Sequence, residues 1–234
     1  MRLLHVDTLE LEEFNESAIP KYAILSHTWG KEEPVYEQAG FSKISKFAQW
    51  ARNLGYRYIW IDTCCINKTS SAELSEAINS MFRWYKYADL CGAYMSDFKR
   101  SRWFTRGWTL QELLCPADLV FLNASWTPIG TKNSIPADKS ITGIDEQCLK
   151  SLDCLDSFDI ATRMYWSSKR ETTKKEDAAY CLMGILGIKM PLLYGEEEQA
   201  LIRLQEEVMN RNEDISSLAW GERWAIGELL VKFF

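Results

Sequence analysis

Over its first half the chain alternates short apolar runs with stretches in which apolar residues recur at helical spacing. Arg2 to Val6 predicts a short strand, and Ile19-Pro20 breaks the acidic segment after it. Tyr22 to Leu25 predicts a buried strand that runs into a polar and aromatic turn, Ser26-His27-Thr28-Trp29-Gly30. Ile44, Phe47, Ala48, Ala51 and Leu54 mark one face of a helix that Gly55 ends. The next strand, Tyr58-Ile59-Trp60-Ile61-Asp62, carries its acid at the C-terminal end. Ser70-Ser71-Ala72-Glu73 has the spacing of a capping box, and Leu74, Ile78, Met81 and Tyr85 continue as the buried stripe of a helix to about Ala88. That box gives Glu73 a structural task rather than a chemical one. Leu90 to Met95 and Asp118 to Leu122 complete a set of strands separated by helices, the pattern of a parallel sheet wrapped by right-handed crossovers. In a flavodoxin-like order the ligand crevice lies beyond the strand ends, between the first and third wound strands. Its walls would be Ser26 to Gly30 and the segment from Ser96 through Glu112.

From Asn123 the pattern changes. Trp126, Pro128, Gly130 and Pro136 mark irregular chain, and Ile144 to Leu155 predicts a weak helix or a pair of turns. Ile160 to Trp166, Ala178 to Ile185 and Gln199 to Met209 read as helices, with a turn at Pro191 to Gly195. They predict a helical subdomain on the flank of the sheet. Trp220 to Phe234 carries no assignable pattern, and no internal repeat appears.

The segment Ser101 to Leu114 is poorly explained by packing alone. If it is helical from about Thr105, Leu110, Leu113 and Leu114 form one apolar stripe, while Phe104, Trp108 and Glu112 recur on the other side. Aromatic residues running into a carboxylate on a second face suggest a cleft wall. Equally, the helix would be clamped between the sheet and a second subdomain, with Glu112 at its rim. Lys99, Arg100, Arg102 and Arg106 lead into this segment and suit a small anion better than a polymer.

Composition narrows the classes. A net charge of -6 excludes a general binder of nucleic-acid polymers or of anionic membrane surfaces, since both want a basic face. The 10 Trp, 10 Tyr and 10 Phe exceed what a core of this size usually uses, so some rings are expected to line a pocket or an interface. Seven cysteines are an odd count, no signal-like run opens the chain, and the expected compartment is the reducing cytoplasm. With 2 His and no C-x-x-C pair, no metal site is expected. No run approaches the roughly 20 apolar residues of a membrane span, so no direct membrane insertion is expected.

Four segments together resemble the fungal heterokaryon-incompatibility domain: Tyr22 to Gly30, Trp60-Ile61-Asp62-Thr63-Cys64-Cys65-Ile66, Ser101 to Leu113, and Glu176 to Ile185 with Met190 to Glu196. That family triggers programmed cell death in self/non-self recognition after cell fusion. The same segments more distantly resemble the TIR domain of innate immunity, and Trp108-x-x-x-Glu112 is similar to the W-x-x-x-E of TIR domains that cleave NAD. The resemblance implies an α/β fold with a TIR-like parallel sheet over residues 1–123. A helical subdomain of the same domain follows at 124–212, and 213–234 is left unassigned. It implies Glu112 as the catalytic carboxylate, with Ser26, His27, Trp29, Gly30, Asp62, Arg106 and Trp108 around the substrate. NAD would be a substrate, so no cofactor is expected, and activation would involve a homo-oligomer. Residue by residue, Arg106 and Arg102 would meet phosphate or else stay solvated, and Trp108 and Trp29 would stack on a ring or pack in the core. His27 would bond substrate or a backbone carbonyl. The competing reading is a non-catalytic TIR-like assembly module. A dinucleotide-binding oxidoreductase is set aside because the chain has no G-x-G-x-x-G or P-loop motif.

Overall fold

A computed structural model describes residues 1–28, 38–98, 101–134 and 142–211. The expectations for Trp29, Gly30, Lys99, Arg100 and residues 213–234 lie outside these described residues.

Seven strands form one sheet: β1 (Arg2–His5), β2 (Leu11–Glu13), β3 (Tyr22–His27), β4 (Tyr58–Trp60), β5 (Leu90–Tyr94), β6 (Leu119–Leu122) and β7 (Pro128–Thr131), in the order β2-β1-β4-β3-β5-β6-β7. The four central strands are parallel, with Ile24 opposite Trp60, Ser26 opposite Ala93, and Ala93 opposite Phe121. Numbered by their own sequence they run second, first, third, fourth, so the strand order reverses between β3 and β5. Antiparallel strands close both sides of this parallel core. The sequence pattern missed β2 and β7 for a physical reason. Their side chains are largely exposed, so no apolar alternation marks them, and only backbone pairing to β1 and β6 defines them. The sheet therefore continues past Asn123, as an antiparallel hairpin.

Helix α1 (Gln38–Asn53) packs on one face, where Gly92 leaves room for the rings of Phe47 and Trp50; a methyl group there would sit 2.8 Å from Phe47. After β4 the chain makes a single helical turn, α2 (Asp62–Cys65). Helix α3 (Ser71–Tyr87) begins at Ser70, whose hydroxyl accepts the Glu73 amide at 3.3 Å, as the capping pattern requires. The Glu73 carboxylate itself turns outward to Arg2 (3.0 Å) and Asn67 (3.1 Å). Trp60 meets Trp84 and Tyr85 of α3, so α3 covers the face opposite α1, the face that carries Ile24 and Ser26. Helix α4 (Thr109–Leu114) lies against α3 on that face, and the buried Lys132 ammonium donates to its last carbonyl, Leu114, and to Pro116 just beyond it.

Further α-helices among the described residues are α5 (Glu146–Lys150), α6 (Ile160–Tyr165), α7 (Asp177–Tyr180) and α8 (Gln199–Arg211). The run expected as one helix from Ala178 to Ile185 is α7 followed by turns. Its motif residues have structural work. Glu176 accepts the amides of Gly195 (2.6 Å) and Glu197 (3.2 Å), while Tyr180 donates to Glu196 and accepts from the Leu193 amide, both at 2.8 Å. Gly184 lies directly against Phe82 of α3, where any side chain would collide. Among the described residues no helix is long and apolar enough to cross a membrane.

Candidate functional site

The segment expected as one continuous helix is broken. Arg102–Thr105 is a 3-10 turn, and Arg106 then pairs in an isolated parallel bridge with Glu171, so that Glu171 donates its amide to Thr105 (2.6 Å) and Gly107 donates to Glu171 (2.9 Å). Gly107 lets the two segments approach closely there: a Cβ would lie 2.5 Å from the Thr172 methyl. Helix α4 starts only at Thr109, with Trp108 as its N-cap, and all six of its residues are buried. Phe104 therefore shares no helix with Trp108 and Glu112. Both rings are partly buried against the core rather than arrayed along an open cleft.

Glu112 points inward, at the C-terminal end of β3. It is 8% exposed and accepts a short hydrogen bond from the hydroxyl of Ser26, which is fully buried. That hydroxyl in turn accepts Trp103 Nε1 at 2.6 Å, giving a chain from indole to hydroxyl to carboxyl. Burial pushes the Glu112 pKa from 4.5 up to about 8 and is the leading cause; the Ser26 bond and the charges of Arg106 and Arg170 oppose it, and Asp62 reinforces it. Arg170 approaches from the helical half. Its Nη1 donates to the Arg106 carbonyl and the Thr109 hydroxyl, both at 2.9 Å, and its buried Nη2 has no hydrogen-bond partner among the described residues. Burial lowers the Arg170 pKa to about 10.

The remaining expected residues divide between places. Alternation along β3 sends His27 to the face of α1, opposite Ser26. Its Nδ1 lies 3.9 Å from Asp62 Oδ1, beyond hydrogen-bonding distance, and Lys68 Nζ lies 3.9 Å from the other Asp62 oxygen. The His27 side chain is 3% exposed, whereas that of Asp62 is 37% exposed, so only the acid faces solvent. Arg106 donates to Thr173 Oγ1 (2.9 Å), and with Arg102, Thr105, Glu171, Thr172 and Thr173 it lines a cavity of about 260 Å³. Two guanidinium groups and three threonines suit an anion, while Glu171 limits its charge.

The arrangement thus unites Ser26 and Glu112, sets Asp62 beside His27, and places Arg106 at a separate, adjoining cavity. Sequence reading missed Trp103 and Arg170 as partners of this network. Trp103 stood inside the quoted motif, but nothing in its spacing shows that its Nε1 meets Ser26. Arg170 lies in a polar run without periodicity, and only the bridge to Arg106 brings it in. Among the described residues no cluster of three or more His, Cys, Asp or Glu forms a metal site.

Residues 22–98 match the family model described as heterokaryon incompatibility protein (HET). The chain is also 40% identical, over 89% of its own length, to vegetative incompatibility protein HET-E-1 of Podospora anserina, and spans 18% of that protein. No solved structure matches. The family match covers β3 through β5, which carry Ser26, His27 and Asp62, while the wider alignment reaches across most of the chain. The chain belongs to the heterokaryon-incompatibility (HET) domain family.

Proposed function

We propose that this domain triggers programmed cell death in self/non-self recognition, and that it does so by hydrolysing NAD at the bond between nicotinamide and ribose. On this reading the fold is a TIR-like variant of the flavodoxin-like sheet. Residues 1–123 are its α/β core, to which β7 adds one strand from the start of 124–212, the rest of 124–212 is a helical subdomain of the same domain, and the protein acts in the cytoplasm. The observation that carries the enzymatic reading is Glu112: a carboxyl hydrogen-bonded at the C-terminal end of β3, where the strand order reverses and where α/β sheets bind ligands. Its raised pKa suits a group that ionises only opposite positive charge, because a cation brought close favours the carboxylate. The nicotinamide ring of NAD is cationic, and the ribose becomes cationic as that ring leaves. Ionised Glu112 would offset that charge, as carboxylates do at glycosidic bonds. Arg102 and Arg106 at the neighbouring cavity would meet the pyrophosphate, and the resemblance adds Trp108, Trp29 and Gly30 as substrate contacts.

Glu112 is almost inaccessible in this single chain, so the active form must open its path. We assign that step to self-association. Nicotinamide release per chain should therefore rise with protein concentration. Full activity at a concentration where the chain elutes as a monomer would sink the self-association step. The burial of Glu112 also favours a second reading, in which the carboxyl only pins α4 to β3 and the domain is a non-catalytic assembly module. That module would kill without consuming NAD.

A further inference from the structure

Cys64 and Cys65 are adjacent in α2, the single helical turn that begins at Asp62, and neither takes part in the network around Glu112. Their sulfurs are 4.0 Å apart. The turn is anchored through both: Cys65 Sγ accepts the Ile61 amide at 3.4 Å, and Cys64 Sγ faces the Ile61 carbonyl at 3.8 Å. Cys64 is half-buried and reachable from solvent, whereas Cys65 is buried. The other buried cysteines, Cys91, Cys115, Cys148 and Cys181, have no cysteine beside them in sequence. This pair is set where the C-terminal ends of the parallel strands open.

We propose that Cys64 and Cys65 form a reversible oxidation site, closed to a disulfide between neighbours by a hydroperoxide. Cys64 is the attacking sulfur. The hydrogen bond from Cys65 holds its pKa below the ordinary thiol value, while Cys65 is held above it by that same bond and by burial. In the first step the Cys64 thiolate attacks one peroxide oxygen, the O–O bond breaks, and the leaving oxygen takes up the proton the thiol had released, so the products are a sulfenic acid on Cys64 and, from hydrogen peroxide, water. In the second the Cys65 sulfur attacks the Cys64 sulfur, the S–O bond breaks, and a second water leaves with the Cys65 proton. Two thiols are oxidised by two electrons, and one hydroperoxide is reduced.

The geometry makes the product labile. Adjacent Cα atoms are held about 3.8 Å apart by a trans peptide, below the roughly 4.4 Å at which ordinary disulfides begin. A strained disulfide is readily reduced by thiols, which is the property of a regulatory bond rather than a structural one. Closure also removes both sulfurs from the Ile61 backbone, so α2 must unwind. Asp62, which opens that turn and faces His27, would shift with it.

The test uses the whole chain and hydrogen peroxide at a small molar excess, followed by alkylation and peptide mass mapping. The expected result is loss of two of the seven thiols, a single peptide that contains both Cys64 and Cys65 and lacks two hydrogens, and full recovery with dithiothreitol. In Cys65→Ala the reaction should stop at a sulfenic acid on Cys64 that dimedone traps. Cys64→Ser should leave the six remaining thiols intact under the same treatment. Oxidation falling first on Cys154, disulfides between chains, or Cys64 passing to sulfinic acid without closing on Cys65 would each overturn the proposal. The wild-type map decides even if a variant fails to fold.

Discussion

Replacing Glu112 with glutamine should stabilise the fold above neutrality and change little in acid. The carboxyl is raised from 4.5 to about 8 chiefly by burial, so between these values the folded chain binds a proton that the unfolded chain releases. Stability then falls as pH rises across that window and levels off above it. A shift of this size corresponds to on the order of 5 kcal/mol if fully expressed. Relaxation around the carboxylate, with Arg106 and Arg170 nearby, reduces the expressed part. Even about 2 kcal/mol would move the melting midpoint of a chain this size by roughly 4–8 °C. Glutamine keeps the shape and can still accept from Ser26, but it cannot ionise. The assay is thermal unfolding of wild type and Glu112→Gln at pH 5 and pH 8.5, read as the difference between the two proteins so that every other titrating group cancels. The variant should match wild type at pH 5 and melt several degrees higher at pH 8.5. Equal midpoints at both pH values would refute a buried, protonated Glu112.

Ser26→Ala removes the hydroxyl between Trp103 and Glu112, leaving two buried polar groups short of a partner; urea unfolding should show a loss of about 1–3 kcal/mol. Gly184→Ala drives a methyl into Phe82 and should destabilise the fold by an amount typical of overpacking, about 1–3 kcal/mol, read as a lower melting midpoint. Arg102→Ala strips one cation from the cavity but breaks no core contact, so it should raise KM for NAD while leaving the melting midpoint unchanged.

Much of the sheet was legible because its parallel strands are buried on both faces and bounded by turns, and because Ser70 announces the start of α3 by its capping chemistry. Strands β2 and β7 were not, since backbone pairing rather than side-chain burial defines them. The position of Glu112 in the chain was legible, but its direction was not. The i, i+4, i+8 spacing of Phe104, Trp108 and Glu112 presumes one helix, and the bridge between Arg106 and Glu171 interrupts it before α4 begins. That bridge joins residues far apart in sequence, which periodicity cannot register. His27 shows the same limit. Its place after a buried run suggests a crevice wall, yet strand alternation turns it to the face of α1, where its side chain is almost wholly covered.

The central claim is tested most directly by nicotinamide release from NAD, measured for wild type and Glu112→Gln at matched concentrations of folded protein, with cell death scored in parallel. The account predicts release by wild type and a loss of about 10²-fold to 10³-fold in the variant, the usual cost of removing one electrostatic stabiliser of a transition state, together with loss of killing. Killing that persists in Glu112→Gln, or that proceeds with no nicotinamide released by wild type, would contradict the account and leave the assembly module in its place.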